Sequence, residues 1–151
     1  MWWFVRVGAT PGVTIGRSAP PIVGTTLDGE PFDLATYAGR PVILNFWGPT
    51  CIPCRDEFPL LAAKLAEHAD DRVALIGILT DDPAPLAHEF VAEFGATWPT
   101  VEDPKKAAKQ AYRVLGRPQT FFIDAAGIVR SVQIGEVRDV DFEKHYARIA
   151  P

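Results

Sequence analysis

The chain has 151 residues, 48% of them hydrophobic, which suits one domain built around a single core. A net charge of −4 with 23% charged residues offers no basic surface for nucleic acid, and three scattered histidines make no metal cluster. Two cysteines are too few to staple a fold, so metal or redox chemistry is left as the reason for the pair.

No run reaches the roughly 20 apolar residues needed to cross a bilayer. Met1 to Val7 is too short for a signal peptide and lacks a small-residue cleavage site. Trp2, Trp3 and Arg6 fit the interfacial end of a membrane anchor as well as they fit a packed terminal strand. Residues 1–15 are therefore expected to be an extended lead-in or the remnant of an anchor, and residues 16–151 one domain.

Pro21 to Phe32 reads as a short hairpin with Asp28-Gly29 at its turn, and Asp33 to Ala38 as one helical turn. Val42 to Trp47 is a near-continuous apolar run, as in a strand covered on both faces. The segment after Cys51 has helical spacing, with Phe58, Leu61, Ala62, Leu65 and Ala66 on one face and Lys64, Glu67 and His68 outside. Pro59 inside that helix should kink it, because the ring removes one backbone hydrogen bond.

Val73 to Leu79 is a second apolar strand, and Asp82-Pro83 reads as a helix cap with proline at the first helical position. The helix that follows points Leu86, Phe90, Val91 and Phe94 inward and ends at Gly95. Trp98 to Val101 is extended, and Asp103-Pro104 repeats the cap signal for a lysine-rich helix running to about Val114. Gln119–Asp124 and Ile128–Ile134 form a hairpin, and Asp139 or Asp141 caps a last helix that uses Phe142, Tyr146 and Ile149. Strands that alternate with helices lie parallel while a hairpin is antiparallel, so the sheet is an α/β mixed one with helices on both faces.

Cys51 and Cys54 fall where the first apolar strand turns into its helix. That turn places Cys51 at a helix N-terminus, where unpaired backbone N–H groups and the positive end of the helix dipole stabilise a thiolate. Two thiols one turn apart can close a disulfide with little backbone movement.

Asn45-Phe46-Trp47 ending a strand, Cys51-Ile52-Pro53-Cys54 opening a helix and Gly116-Arg117-Pro118-Gln119-Thr120-Phe121 before a hairpin resemble the thioredoxin fold. Within that fold the chain is most similar to extracytoplasmic thiol-disulfide oxidoreductases of the TlpA/ResA/CcmG (DsbE) type, whose pattern Arg55, Glu57 and Pro59 also follow. The resemblance covers residues 16–150. It implies an N-terminal hairpin and a strand–helix insert, between about Pro83 and Val114, ahead of a cis-proline loop at Pro118. Three departures stand out. Thr50 replaces the tryptophan usual before the first cysteine, Arg117 precedes the presumed cis-proline, and Asn45 sits where thioredoxin itself has a buried aspartate.

Cys51 is expected to be the exposed nucleophile and Cys54 the buried resolving thiol. Pro118 should face the sulfurs and offer a backbone edge to a substrate strand. Glu57 is a candidate general acid/base with a raised pKa if it is buried near Cys54; a solvated helix glutamate is the alternative. Trp47 and Pro49 are expected to form an apolar docking surface, Pro53 to tune the redox potential, and Arg117 and Gln119 to line the substrate side. Arg117 either lowers the Cys51 pKa, reads an acidic partner or is a solvated loop residue. Arg55 reads as a surface ion-pair partner, and His68, His88 and His145 as exposed helix residues.

The expected activity is protein disulfide oxidoreduction with no cofactor. The resemblance implies a monomeric reductase outside the cytoplasm, with client thiols such as those of apocytochrome c and a membrane thiol-reducing donor. A Cu(I) metallochaperone using the same two thiolates is the rival reading, though such proteins are expected to add a histidine ligand that is not evident here. A peroxidase needs a Thr-X-X-Cys nucleophile, whereas Thr50 is adjacent to Cys51. Zinc needs four ligands and finds no second Cys pair.

Overall fold

The computed structural model describes residues 15–151. The expectations for Trp2, Trp3 and Arg6 lie outside the described residues.

A five-stranded sheet in the order β5-β4-β3-β6-β7 carries the fold. Its central strand is β3 (Val42–Trp47), flanked by β4 (Ala74–Leu79) and β6 (Gln119–Ile123), with β5 (Thr100–Val101) and β7 (Val129–Ile134) outside them. β3, β4 and β5 run parallel, while β6 opposes β3 and β7 opposes β6. The mixed sheet expected from the alternation of strands and helices is what forms. All six residues of β3 and all six of β4 are buried, which is why these runs are apolar without alternation.

Successive side chains of β3 point to opposite faces. Ile43 and Trp47 join a core with α1 (Ile52–Glu67), α2 (Ala84–Phe94) and α4 (Asp139–Tyr146). Val42, Leu44 and Phe46 join a second core closed by Phe32 and by Tyr112, which follows α3 (Ala107–Ala111). Phe32 belongs to the separate hairpin of β1 (Val23–Thr25) and β2 (Pro31–Asp33). Helices therefore cover both faces, three on one and the short α3 on the other. Gly16 to Ala19 begins in a turn at Gly16 and bonds beside the start of β7 through Gly127 and Val129.

Several local expectations change once the elements pack. α1 is one helix with Pro59 inside it, where the ring leaves one backbone bond unmade. Lys64, placed outside by the helical spacing, is only 5% exposed, because Glu143 and Asp139 of α4 lie against it at 2.5 and 3.1 Å. Ala62 and Ala66 face solvent instead. α2 is turned so that Ala87 and Phe90 enter the core, leaving Leu86 and Phe94 exposed.

α2 has no side-chain cap; its cap residue is Pro83, and Asp82 is used elsewhere. The N-cap of α3 is Lys106, not Asp103, although the Asp103 carboxylate still accepts from the N–H groups of Ala108 and Lys109; the helix is a single short turn rather than one reaching Val114. At α4 it is Asp141 that reaches back, to the Arg138 N–H, while Asp139 is the first helical residue. His68 and His145 are half-buried, the His68 ring tilted against the Tyr146 ring at 4.1 Å; His88 is exposed.

Candidate active site

β3 ends at Trp47 and β6 begins at Gln119, and their antiparallel pairing sets those ends side by side. The loop into α1 and the loop into β6 therefore meet at one end of the sheet. Cys51 is the N-cap residue of α1 and is joined to Cys54 by a disulfide with Cα atoms 5.2 Å apart. The Cys54 N–H donates to the Cys51 sulfur at 3.3 Å, so an otherwise unpartnered helix-terminal donor already points at that atom. The Arg117–Pro118 bond is cis, and the Arg117 carbonyl oxygen lies 3.6 Å from the Cys51 sulfur.

Cys51 is the outer sulfur, but it is not openly exposed. It is 8% accessible against 1% for Cys54, because the Arg117–Pro118 loop covers it. Ile52 and Pro53 between the cysteines are exposed, Ile52 by 70%.

Glu57 lies one turn beyond Cys54 and is 2% exposed. Its carboxylate accepts from the Asn45 side-chain amide at 2.7 Å and from the Val137 N–H at 2.9 Å. Asn45 also donates to the Thr120 hydroxyl at 3.0 Å across the β3–β6 pair, so no amide hydrogen of Asn45 is wasted. Removal from water pushes the Glu57 pKa up to about 7; the Val137 and Asn45 bonds pull it down and nearby Glu136 adds a smaller upward push. Asn45 thus holds Glu57 where an aspartate at the same place would have repelled it.

The expected docking surface at Trp47 and Pro49 is instead internal packing. Trp47 is 1% exposed, its ring 5.2 Å from Phe90 and 5.5 Å from Phe58, because α2 folds across it. Gly77 is what lets it lie there: a Cβ on Gly77 would meet the indole nitrogen at 2.6 Å. Pro49 is buried, and its carbonyl accepts from Arg55. Gln119 is buried and braces the loop from within, accepting from the Leu115 N–H at 3.1 Å.

Arg55 makes no ion pair among the described residues; its guanidinium lies over the rings of Phe90 and Phe94 at 5.0 and 5.4 Å. Arg117 is not a solvated loop residue. It donates to the Thr80 carbonyl and the Asp82 carboxylate, each at 2.7 Å, and to the Thr50 hydroxyl at 2.9 Å. Sequence reasoning missed Asp82, whose Asp-Pro context is an equally good helix-cap signal.

Away from this end, Glu67, His68 and Glu143 place their ligand atoms within 4.8 Å of one another, but the Lys64 ammonium already sits among those carboxylates. The chemistry that the disulfide end supports is thiol–disulfide exchange: an outer sulfur at a helix start, partly covered by the cis-proline loop, one more deeply buried sulfur behind it, and a buried acid titrating near neutrality.

Known proteins agree. A model of the AhpC/TSA family matches residues 15–132. The thiol-disulfide oxidoreductase ResA of Geobacillus kaustophilus is 34% identical over 92% of this chain and 80% of its own length. A Chlorobium tepidum protein proposed to be the thiol:disulfide interchange protein DsbE superposes with a TM-score of 0.83 at 28% identity, covering 91% of this chain and 96% of its own. A secreted Mycobacterium tuberculosis disulfide oxidoreductase, homologous to E. coli DsbE, gives 0.75 at 26% identity over 83% and 94%. The chain thus belongs to the AhpC/TSA family and is, within it, a thioredoxin-fold thiol-disulfide oxidoreductase of the ResA/CcmG type.

Proposed function

We propose that this oxidoreductase works as a reductase of protein disulfides outside the cytoplasm, with the haem-site cysteines of apocytochrome c as its clients and a membrane thiol donor restoring its dithiol. The observation that carries the reading is the Cys51 sulfur held 3.6 Å from the cis-proline loop with Glu57 buried behind Cys54. The likeness to ResA supports the exchange chemistry, and the likeness to a secreted disulfide oxidoreductase supports the compartment.

In the forward cycle the Cys51 thiolate attacks a client disulfide, forming a Cys51–client bond and releasing one client thiolate. Cys54 then loses its proton and attacks Cys51, closing the Cys51–Cys54 bond and releasing the second client thiolate. Two electrons pass to the client, and two protons are taken up there as its thiolates protonate. Glu57 takes the Cys54 proton, and a pKa near 7 suits a group that must both accept and return it. The backbone edge beside Pro118 aligns the client strand, while exposed Pro53 tunes the potential by restraining the helix start.

The test is the reduction potential of the pair together with trapping of clients by Cys54→Ala. The reading expects a potential near the thioredoxin end, about −270 mV, and mixed disulfides with proteins carrying paired cysteines. A potential near −120 mV would make the protein an oxidant. Tight Cu(I) uptake without disulfide turnover would make it a copper carrier.

A further inference from the structure

Two loops meet over Cys51, and what locks them together is a charged clamp. The Asp82 side chain is 6% exposed, and its oxygens accept from the Thr50 N–H at 2.9 Å, from the Thr50 hydroxyl at 2.7 Å and from the Arg117 guanidinium at 2.7 Å. Arg117 closes the ring by donating to the same Thr50 hydroxyl. Thr50 precedes Cys51, and the Arg117 carbonyl touches its sulfur, so each loop is gripped next to the atom that contacts the disulfide. Gly48 makes this possible: a Cβ there would overlap both the Arg117 guanidinium and the Asp82 carboxylate.

The clamp has an electrical side as well. Burial alone would raise the Asp82 pKa, but the Thr50 amide and hydroxyl and the Arg117 charge outweigh it and hold the carboxyl below its usual range. Asp82 is therefore ionised wherever the enzyme works, and its charge stands directly against that of Arg117. Other charged groups around the site are Arg55, which donates to the Pro49 carbonyl and lies over Phe90 and Phe94, and Glu57 behind Cys54. Glu89 and Glu93 of α2 line a groove with Thr50 and Arg55, and Asp81, beside Asp82, is paired with Lys106 and Lys109.

We propose that Asp82 is a positioning residue for disulfide exchange: it fixes the cis-proline loop against the Cys51 turn and cancels the positive charge that Arg117 brings to the rim. Cys51 then owes its thiolate to the helix start, not to Arg117, and the pair is kept more reducing than an unpaired arginine would allow. A cation that stabilises the thiolate stabilises the dithiol form, and so raises the oxidising power of the disulfide.

The experiment compares Asp82→Asn, Arg117→Met and the double variant in the full chain. Cys51 alkylation by iodoacetamide is followed against pH with Cys54→Ala present, and the glutathione equilibrium is measured with both cysteines intact. Asp82→Asn keeps an acceptor for Thr50 but frees the Arg117 charge. Alkylation at pH 6 should rise about three- to tenfold, with a matching shift of the equilibrium toward the dithiol, as expected for one unpaired charge in a partly screened site. Arg117→Met should move both quantities the other way, and the double variant should return to within about twofold of the parent, as cancelling charges require. An unchanged profile in Asp82→Asn, or a double variant that keeps the single variant's shift, overturns the proposal. Both single variants shifting in the same direction would also overturn it, leaving only a structural clamp. If Asp82→Asn does not fold, Arg117→Met leaves the Asp82–Thr50 bonds in place and decides the question by the sign of its shift.

Discussion

Glu57 and Lys64 stand two turns apart on the buried side of α1, 2% and 5% exposed, and the molecule treats them in opposite ways. Glu57 meets neutral donors, the Asn45 amide and the Val137 N–H, so desolvation dominates and its pKa rises to about 7. Lys64 meets three carboxylates, Glu143 at 2.5 Å, Asp139 at 3.1 Å and Glu67 at 3.2 Å, and its ammonium is held charged. A sealed charge becomes a titrating group when its partners are neutral, and a strut between helices when they are countercharges. The first arrangement lies behind the disulfide. The second ties α1 to α4.

The sharpest way to break that contrast is the pH dependence of stability. Folded Glu57 holds its proton up to about pH 7, whereas a glutamate free in water loses it near pH 4.5. Its contribution to folding is full below pH 4.5 and drains away as pH rises through 7, amounting to about 3 kcal/mol. Denaturant unfolding of the disulfide form should therefore show the parent losing that much between about pH 4 and 8 relative to Glu57→Gln. The comparison with the variant is needed because His145, its pKa lowered by burial, works in the opposite sense over the same window. Parallel curves for the two proteins would mean that Glu57 is not the titrating group.

Catalysis should separate the two residues next. Glu57→Gln is expected to slow closure of the Cys51–Cys54 bond by about 100-fold at pH 7, the usual scale for losing a positioned proton acceptor. Stopped-flow measurement of mixed-disulfide decay would show this, and a rate within twofold of the parent would return Glu57 to a structural role. Lys64→Met, by contrast, should leave that rate alone and cost about 2 kcal/mol in urea unfolding. That is less than for a fully buried pair, because Glu67, Asp139 and Glu143 can each turn to water. The smallest effect belongs to Asp139→Asn, about 0.5 kcal/mol or less, since the Asp139 side chain is 74% exposed.

The residues that could be read ahead of the structure are those whose meaning is local. Cys51-Ile52-Pro53-Cys54 at a strand-to-helix turn, the proline before β6 and the apolar runs of β3 and β4 carry their geometry in short stretches of chain, and each stands where it was expected. What could not be read depends on partners far along the chain. Lys64 looked solvent-facing because two of the three carboxylates that hold it come from α4, 75 and 79 residues later. Phe94 looked internal, yet it serves as a platform for Arg55 on the surface. Trp47 looked available to a partner until α2 folded over it. Asp82 had a good local use as a helix cap and was drawn into the Arg117–Thr50 clamp, where two hydroxyl and amide donors and a guanidinium offer more than one cap bond.

The opposed directions of β3 and β6 have a consequence for how such a molecule can change. The strand that delivers the sulfur and the strand that leads away from the proline are immediate neighbours, so their alignment is inherited from one ladder of backbone bonds. The chain between α2 and the Arg117 turn contributes no atom to that ladder. Apart from β5 and the buried Tyr112, which tie it to the sheet edge and the second core, its exposed turns can vary and present new shapes to other proteins while the reacting sulfur keeps its place.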